Sequence, residues 1–421
     1  MLIEYNFENF KSFKGMNTFS MVGVPSFKEH EPDNIISMEK FKLLKSAVIY
    51  GNNASGKSNF TDGIAAMKKL VLNSFRDALL EEDNDSDSER SITVDKFLLS
   101  TDSEDQPTHF EIKFLCCKAK FRYGFEILNG QISSEWLYST QKIKEVPLFV
   151  REGKKFSINK SSFGEGENLE KKTRSNVLFL SLVAQLNGKK SSSIIDWFKQ
   201  LNLISGLMDE GYGGYTLFKL RQDVEFRKWV SLILPTLEIS NITVDELEGK
   251  SDNKKKQIKF QVSTWHNKYD SQNIIVDSVP FDFASQESEG TKRFIFLLGP
   301  IYDTLRNGKI LLIDEFDSRL HPHLLQKLTE MFHRTNKFNS QLIYTSHHAS
   351  LLDKDLFRRD QIWFSEKDQF GISSMYSLAD FKSTDVRNTS SFSKNYLKGK
   401  YGAISYFDIK DELINELYEN V

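Results

Sequence analysis

Two stretches carry residue types that do chemistry together: "GNNASGKS", Gly51 to Ser58, and "ILLIDEFD", in which Asp314 and Glu315 close an apolar run. The first fits G-x-x-x-x-G-K-[ST], with an apolar run, "AVIY", before it and a helical pattern after it. Gly51 and Gly56 permit a tight wrap in which backbone N–H groups face an anion, and the following helix adds the favourable end of its dipole. On this reading Gly51, Asn52, Asn53, Ala54, Ser55, Gly56, Lys57, Ser58 and Asn59 surround a phosphate chain. The Lys57 ammonium neutralises the outer phosphates, and the Ser58 hydroxyl ligates Mg²⁺. Asp314, at the end of a buried strand, is the second metal-side group. Glu315, one residue on, is placed to orient or deprotonate an attacking water.

Two further pieces extend this set. "SQESEGTKR" opens an apolar helix, and Ser288 and Gly290 at its start make a second anion-binding nest. One protomer has no use for two nests around one γ-phosphate, so the spacing predicts a dimer in which each nest closes over the partner's nucleotide. His347, after the strand "QLIYTS", can report the γ-phosphate through its imidazole. Glu289 is expected to face solvent or pair with Lys292. Pro300, inside the apolar helix, predicts a kink or helix end. His321 and His323 flank Pro322, which suits the first turn of a helix better than a metal site.

The elements that must position these groups follow from periodicity. Ile3, Tyr5 and Phe7, then Phe110, Ile112 and Phe114, then Phe121, Tyr123, Phe125 and Ile127, alternate as half-buried antiparallel strands. Phe60, Ile64, Met67, Val71 and Phe75 recur at helical spacing after the glycine loop. Residues 176–240 read as a helical subdomain: "NVLFLSLVAQLN" and "SSIIDWFKQLNLI" carry apolar faces, and "DEGYGGYT" reads as a glycine-rich break. Beyond Phe281 helices and strands alternate in the rhythm of a mostly parallel sheet. The expected organisation is an amino-terminal lobe, 1–175, the helical insertion, 176–240, and a carboxyl-terminal lobe, 241–421. The expected fold class is α/β, with an antiparallel β lobe against a mostly parallel core sheet.

Composition narrows the partners. Fifty-six Lys and Arg against 58 Asp and Glu give a net charge of −2, so no global positive field draws the chain to nucleic acid. A local patch, Lys254 to Lys256, is where nucleic acid would touch; the acidic run Glu81 to Glu89 reads as a loop. Two cysteines, Cys116 and Cys117, in 421 residues suit a reducing compartment and read as buried strand residues. No run of eighteen apolar residues occurs, so no membrane is expected and the chain is placed in the cytoplasm.

Together "GNNASGKS", "ESEGTKR", "LLIDEFDSRLHP" and "TSHH" resemble the ABC-type ATPases of the SMC-like group. More narrowly the chain is similar to small bacterial ATPases related to the overcoming-lysogenisation-defect proteins and to the RloA and AbiLi phage-defence proteins. The opening "IEYNFENFKSF" and the tail "NYLKGKYGAISYF" share the resemblance. It implies ATP and Mg²⁺ as ligands, Ser288 and Gly290 as the signature contact to a partner's nucleotide, Asp317 to His321 as a dimer-facing loop and His347 as the switch histidine. The signature departs from the transporter pattern, since Glu287 and Glu289 flank the serine. No glutamine is assigned to the metal-sensing position. Residues 360–421 show neither the glutamate and D-x-D set of a Toprim module nor a His-Asn-His finger, so a Toprim or HNH nuclease effector is expected as a separate protein. The expected function is an ATP-hydrolysing sensor of phage infection, dimeric or higher. A DNA-repair or DNA-clamping ATPase and a non-hydrolysing ATP-gated scaffold are the alternatives.

Overall fold

A computed structural model describes residues 1–38, 41–79, 92–140, 144–247, 259–381 and 391–404. The acidic run Glu81 to Glu89, the basic Lys254 to Lys256 and the end of the "NYLKGKYGAISYF" tail lie outside the described residues.

The core is a six-stranded sheet in the order Leu201–Ser205, Ile310–Asp314, Gln341–Ser346, Ser46–Tyr50, Ile362–Lys367 and Ser373–Ser377. Its first four pairings are parallel, and only the last is antiparallel. Parallel strands are covered on both faces and therefore read as unbroken apolar runs. Here alternate residues serve opposite cores. Ala47 and Ile49, with Ile310 and Leu312, pack toward the long helix Lys57–Leu79 through Phe60, Ile64, Met67 and Val71. Val48 and Tyr50, with Leu311 and Ile313, pack toward the helices Glu289–Asn307 and Pro322–Thr335 through Phe294, Leu298, Leu325 and Phe332. The Lys57–Leu79 helix is in turn roofed by a seven-stranded antiparallel sheet holding Leu2–Glu8 and Thr108–Cys116, whose Tyr5, Phe7, Phe110 and Ile112 join the same core. Two separate antiparallel sheets remain, one of three strands, Asn241–Leu247, Lys259–Tyr269 and Ile275–Asp282, and one of two, Ile35–Ser37 and Lys42–Leu44. This is the α/β arrangement with an antiparallel lobe that the periodicity predicts.

Four local expectations are corrected. The 176–240 stretch is not purely helical: the helix Lys189–Lys199 ends before Leu201–Ser205, which is an edge strand of the central sheet, so backbone pairing with Ile310–Asp314 overrides the local helical pattern. "DEGYGGYT" is no break, because its glycines lie in the helix Glu210–Gln222, where Gly213 lets the Phe296 ring approach. Cys117 is exposed at a hairpin turn with φ of 50°, so only Cys116 belongs to a strand. Asp317, assigned to a dimer-facing loop, is buried. By contrast, Pro322 does begin its helix, with His321 Nδ1 accepting from the His323 N–H at 3.2 Å as the cap.

Pro300 does not end its helix, which runs from Glu289 to Asn307. A proline at that position leaves the carbonyl four residues back, that of Phe296, without its N–H donor. The buried Thr216 hydroxyl donates to that carbonyl at 2.5 Å and so supplies the missing bond from the neighbouring helix. Thr216→Val is therefore expected to cost about 1–3 kcal/mol, the desolvation penalty of an unpaired buried carbonyl. In a Pro300→Ala background, where the helix regains its own donor, the same change costs clearly less. Urea unfolding of the four proteins measures both, and an equal cost in the two backgrounds contradicts the exchange.

Candidate functional site

The site forms at the carboxyl ends of three adjacent parallel strands, Ile310–Asp314, Gln341–Ser346 and Ser46–Tyr50. The loop after Ser46–Tyr50 is shaped by steric necessity. A Cβ on Gly51 would stand 2.2 Å from the Ser365 carbonyl oxygen, and Gly56 takes φ of +112°, a region that only glycine enters readily. Ala54 also adopts a left-handed conformation, φ 61°. Among the described residues the backbone N–H groups of Asn53, Ala54 and Gly56 have no acceptor. They precede the first turn of the Lys57–Leu79 helix, so the wrap presents unpaired donors beside a helix amino terminus and fits a phosphate chain. The Ser58 side chain is exposed, as a metal ligand requires. Asn59 is partly committed elsewhere: its amide donates to Ser12 Oγ at 2.7 Å.

Lys57 is buried, and its ammonium donates to the loop carbonyls of Gly51 and Asn52 at 2.7 and 2.8 Å. Burial lowers its pKa to about 8, while the charges of Asp314, Asp317 and Glu315 pull it back up. Those four residues therefore share one electrostatic neighbourhood. His347 belongs to it: burial and then the Lys57 charge lower its pKa below the usual imidazole value, with the three carboxylates opposing. The imidazole is accordingly neutral at physiological pH.

Thr345, absent from the sequence assignment, fixes the acidic pair. The buried Thr345 hydroxyl donates to Asp314 Oδ1 at 2.7 Å and accepts from the Glu315 N–H at 2.7 Å. Glu315 itself is held at φ 52°, a strained value for a side chain of its kind. Asp317 Oδ2 accepts from the N–H groups of His347 and His348 at 2.6 and 3.0 Å and from Ser346 Oγ at 2.8 Å. Thus the turn after the acidic strand and the turn carrying His347 are bolted to each other.

Ser288 and Gly290 sit apart. Ser288 is exposed and caps the helix Glu289–Asn307, its Oγ accepting from the Thr291 N–H at 3.1 Å. A Cβ on Gly290 would stand 2.8 Å from the Arg319 carbonyl oxygen, so that chain approach demands glycine. Glu289 pairs with Lys292 at 2.5 Å and Arg319 at 3.3 Å, as anticipated for Lys292. No hydrogen bond or ion pair among the described residues joins Ser288 to Gly290 with the Gly51 to Asn59 loop. The link between the two places is Arg293, which the sequence reading passed over. Its fully buried guanidinium donates to the Glu315 carbonyl at 2.8 Å and to that of Gly206. Gly206 N–H in turn donates to the Asp314 carbonyl at 2.7 Å. Glu287, next to the cap, accepts from Thr264 and, at 2.7 Å, from His266, which fastens the three-stranded sheet to the same helix start.

A glycine-wrapped loop, an acidic pair one strand away and a parallel sheet between two helical layers define a P-loop NTPase fold. The chain belongs to the family described as "AAA domain, putative AbiEii toxin, Type IV TA system", whose model matches residues 46–353, more than half of the sequence. No curated protein matches it. Among solved structures it is similar to the SMC head domain from Thermotoga maritima, at 13% identity and a TM-score of 0.43, covering 89% of this chain and 98% of that one. A structure of the SmcHead bound to the C-winged helix domain of ScpA gives 13% identity and a TM-score of 0.42 over 89% and 97%. Among the described residues no helix is long and apolar enough to cross a membrane.

A triphosphate needs the charged form of Lys57, and that form is lost as pH rises through about 8. ATP affinity is therefore expected to be constant near pH 7 and to fall, approaching tenfold per pH unit, above about 8, with proton uptake on binding. Calorimetry in two buffers of different ionisation enthalpy at pH 8.5 checks this; binding without proton uptake contradicts it.

Proposed function

We propose that this chain is an ATP-hydrolysing regulator of an anti-phage defence system, which closes as a dimer around ATP and controls a separate effector such as a nuclease. The observation that carries the reading is the division of the site: Lys57, Asp314, Glu315 and His347 share one electrostatic neighbourhood, while Ser288 stands exposed and Gly290 half-buried elsewhere on the same chain. The naming of the matched family for a toxin and a TA system supports the defence setting.

In this reading the amides of Gly51 to Ser58 and the Lys57 ammonium hold the β- and γ-phosphates, and Ser58 and Asp314 hold Mg²⁺. When bound, Mg²⁺ supplies neutralisation of the charge that develops on the phosphate oxygens. Glu315 orients and deprotonates the attacking water, and its backbone is left-handed directly after the strand that Asp314 ends. The neutral His347 ring offers the γ-phosphate a hydrogen bond without adding a second cation beside Lys57. Asp317 ties that ring's backbone to the acidic turn, so loss of the γ-phosphate is felt at both. Ser288 and the free amides at the start of its helix complete the partner's site, and the effector reads closure.

Lys57→Ala is expected to lose ATP binding. Glu315→Gln is expected to keep it, to lose hydrolysis by a factor on the order of 100 or more, and to accumulate ATP-bound dimers. Ser288→Arg binds ATP in each chain yet stays monomeric. Phosphate release, ATP titration and sedimentation on the three variants test the set; a Glu315→Gln protein that binds ATP and sediments as a monomer sinks cross-subunit closure.

A further inference from the structure

We propose that the cleft beside the Ser288 helix start is the seat for an apolar ridge from a second copy of this chain. The proposal rests on the cross-subunit closure above and supplies the surface that holds it.

The cleft, of about 520 Å³, is lined by the apolar Leu207, Met208, Leu217 and Phe296 and by two carboxylates and two cations, Asp209, Glu289, Lys292 and Arg319. Leu207 and Met208 are 56% and 73% exposed, far more than isolated side chains of their size need to be. Gly213 and Gly214 also line it, from within the helix Glu210–Gln222. Glycine weakens a helix interior relative to alanine. Gly213 has a reason in this chain, the Phe296 ring 3.1 Å from where its Cβ would be. Gly214 has none: no atom lies within 4 Å of its would-be Cβ. Gly214 leaves that side of the cleft open.

The ridge lies by the other half-site. Leu98, Leu99 and Phe370 are 84%, 70% and 66% exposed. Leu98 and Leu99 border a surface depression together with Lys11, Ser12 and Asn59, on the flank of the phosphate loop and its helix. They are rigidly presented. Phe97 is buried, its N–H donating to Asn9 Oδ1 at 3.2 Å and its carbonyl accepting from Ser103 Oγ at 2.9 Å. Leu99 lies over the Gly371 turn, whose Phe370 and Ile372 N–H groups both donate to Asp368 Oδ1, at 2.9 and 2.8 Å. Preorganised apolar groups of this kind lose little entropy on docking.

The occupant follows from where the two surfaces stand. Closure that sets Ser288 of one copy over Lys57 of the other brings the Asn59 flank of the second against the Glu289 flank of the first. By twofold symmetry the contact is made twice. A foreign apolar segment would fit the cleft equally well by shape, but its binding would not require ATP.

The test uses the full chain in a Glu315→Gln background with Cys116 and Cys117 changed to serine. Single-cysteine proteins Leu99→Cys and Met208→Cys are mixed, and an interchain disulfide is expected with Mg·ATP and not without it. In parallel, Leu99→Glu and Gly214→Phe are expected to weaken ATP-induced dimerisation at least tenfold while ATP affinity per chain is unchanged. Leu99→Glu alters an exposed side chain, so its result stands even if Gly214→Phe fails to fold. ATP-dependent dimers that form as tightly in Leu99→Glu, with no 99-to-208 cross-link, overturn the seat and leave closure standing. A cross-link equally strong without nucleotide also overturns it. A parent protein that binds ATP and stays monomeric removes closure, and the seat falls with it.

Discussion

The contact on which both halves of the site depend is a buried cation that has, among the described residues, no carboxylate at hydrogen-bonding distance. Arg293 has no exposed surface, and its guanidinium donates to the carbonyls of Gly206, Glu315 and Phe316. Burial pulls its pKa down, and the nearby Tyr212 and Asp209 pull it up, but a guanidinium stays charged in either case. A charge taken out of water must recover its solvation from fixed dipoles. Here the dipoles are the carbonyls of the turn that carries Glu315, so the charge is solvated only while that turn keeps its shape. The helix that exposes Ser288 and the turn that aims Glu315 are thereby one mechanical body within a chain.

The same logic explains how the site tolerates backbone strain at Glu315. A left-handed glutamate persists only where neighbours over-determine it. Thr345 holds its N–H, Arg293 holds its carbonyl, and the Phe316 N–H donates to the Thr345 carbonyl at 3.1 Å. Asp317 then turns inward and spends one carboxylate oxygen on the backbone around His347. Every group that would sense a γ-phosphate is thus tied by backbone contacts to the group that would cleave it.

How much of this the sequence disclosed depends on the range of the interaction. The phosphate loop was legible because its requirements are local: a glycine where the Ser365 backbone crowds in, another at φ +112°, a lysine and a hydroxyl at fixed offsets. The acidic strand was legible because burial on both faces writes a continuous apolar run. Leu201–Ser205 was not, since its apolar residues continue the pattern of the preceding helix and only pairing with Ile310–Asp314 decides the matter. The roles of Thr345, Asp317 and Arg293 left no local trace, because each acts on backbone or carboxyl groups 22 or more residues away. Pro300 shows the same limit in reverse: its local meaning is a helix end, and a hydroxyl on another helix cancels it.

The three-stranded sheet adds a constraint on how anything can approach the Ser288 helix from that side. Ile275–Asp282 is an edge strand with apolar residues in the open, the kind of edge that recruits other strands. Its outer donors are nevertheless blocked at every second residue. The Ser278 N–H donates to the Asp277 carboxylate at 2.7 Å, Pro280 has no N–H, and the Asp282 N–H donates to the Gln286 side chain at 2.6 Å. Backbone pairing at that edge is therefore interrupted from Ser278 to Asp282. The sheet meets the helix start at His266, whose ring lies 4.5 Å from that of Phe281 at a tilt of 37° and is bonded to Glu287 beside the cap. One imidazole therefore joins the three-stranded sheet to the residue that precedes the cap.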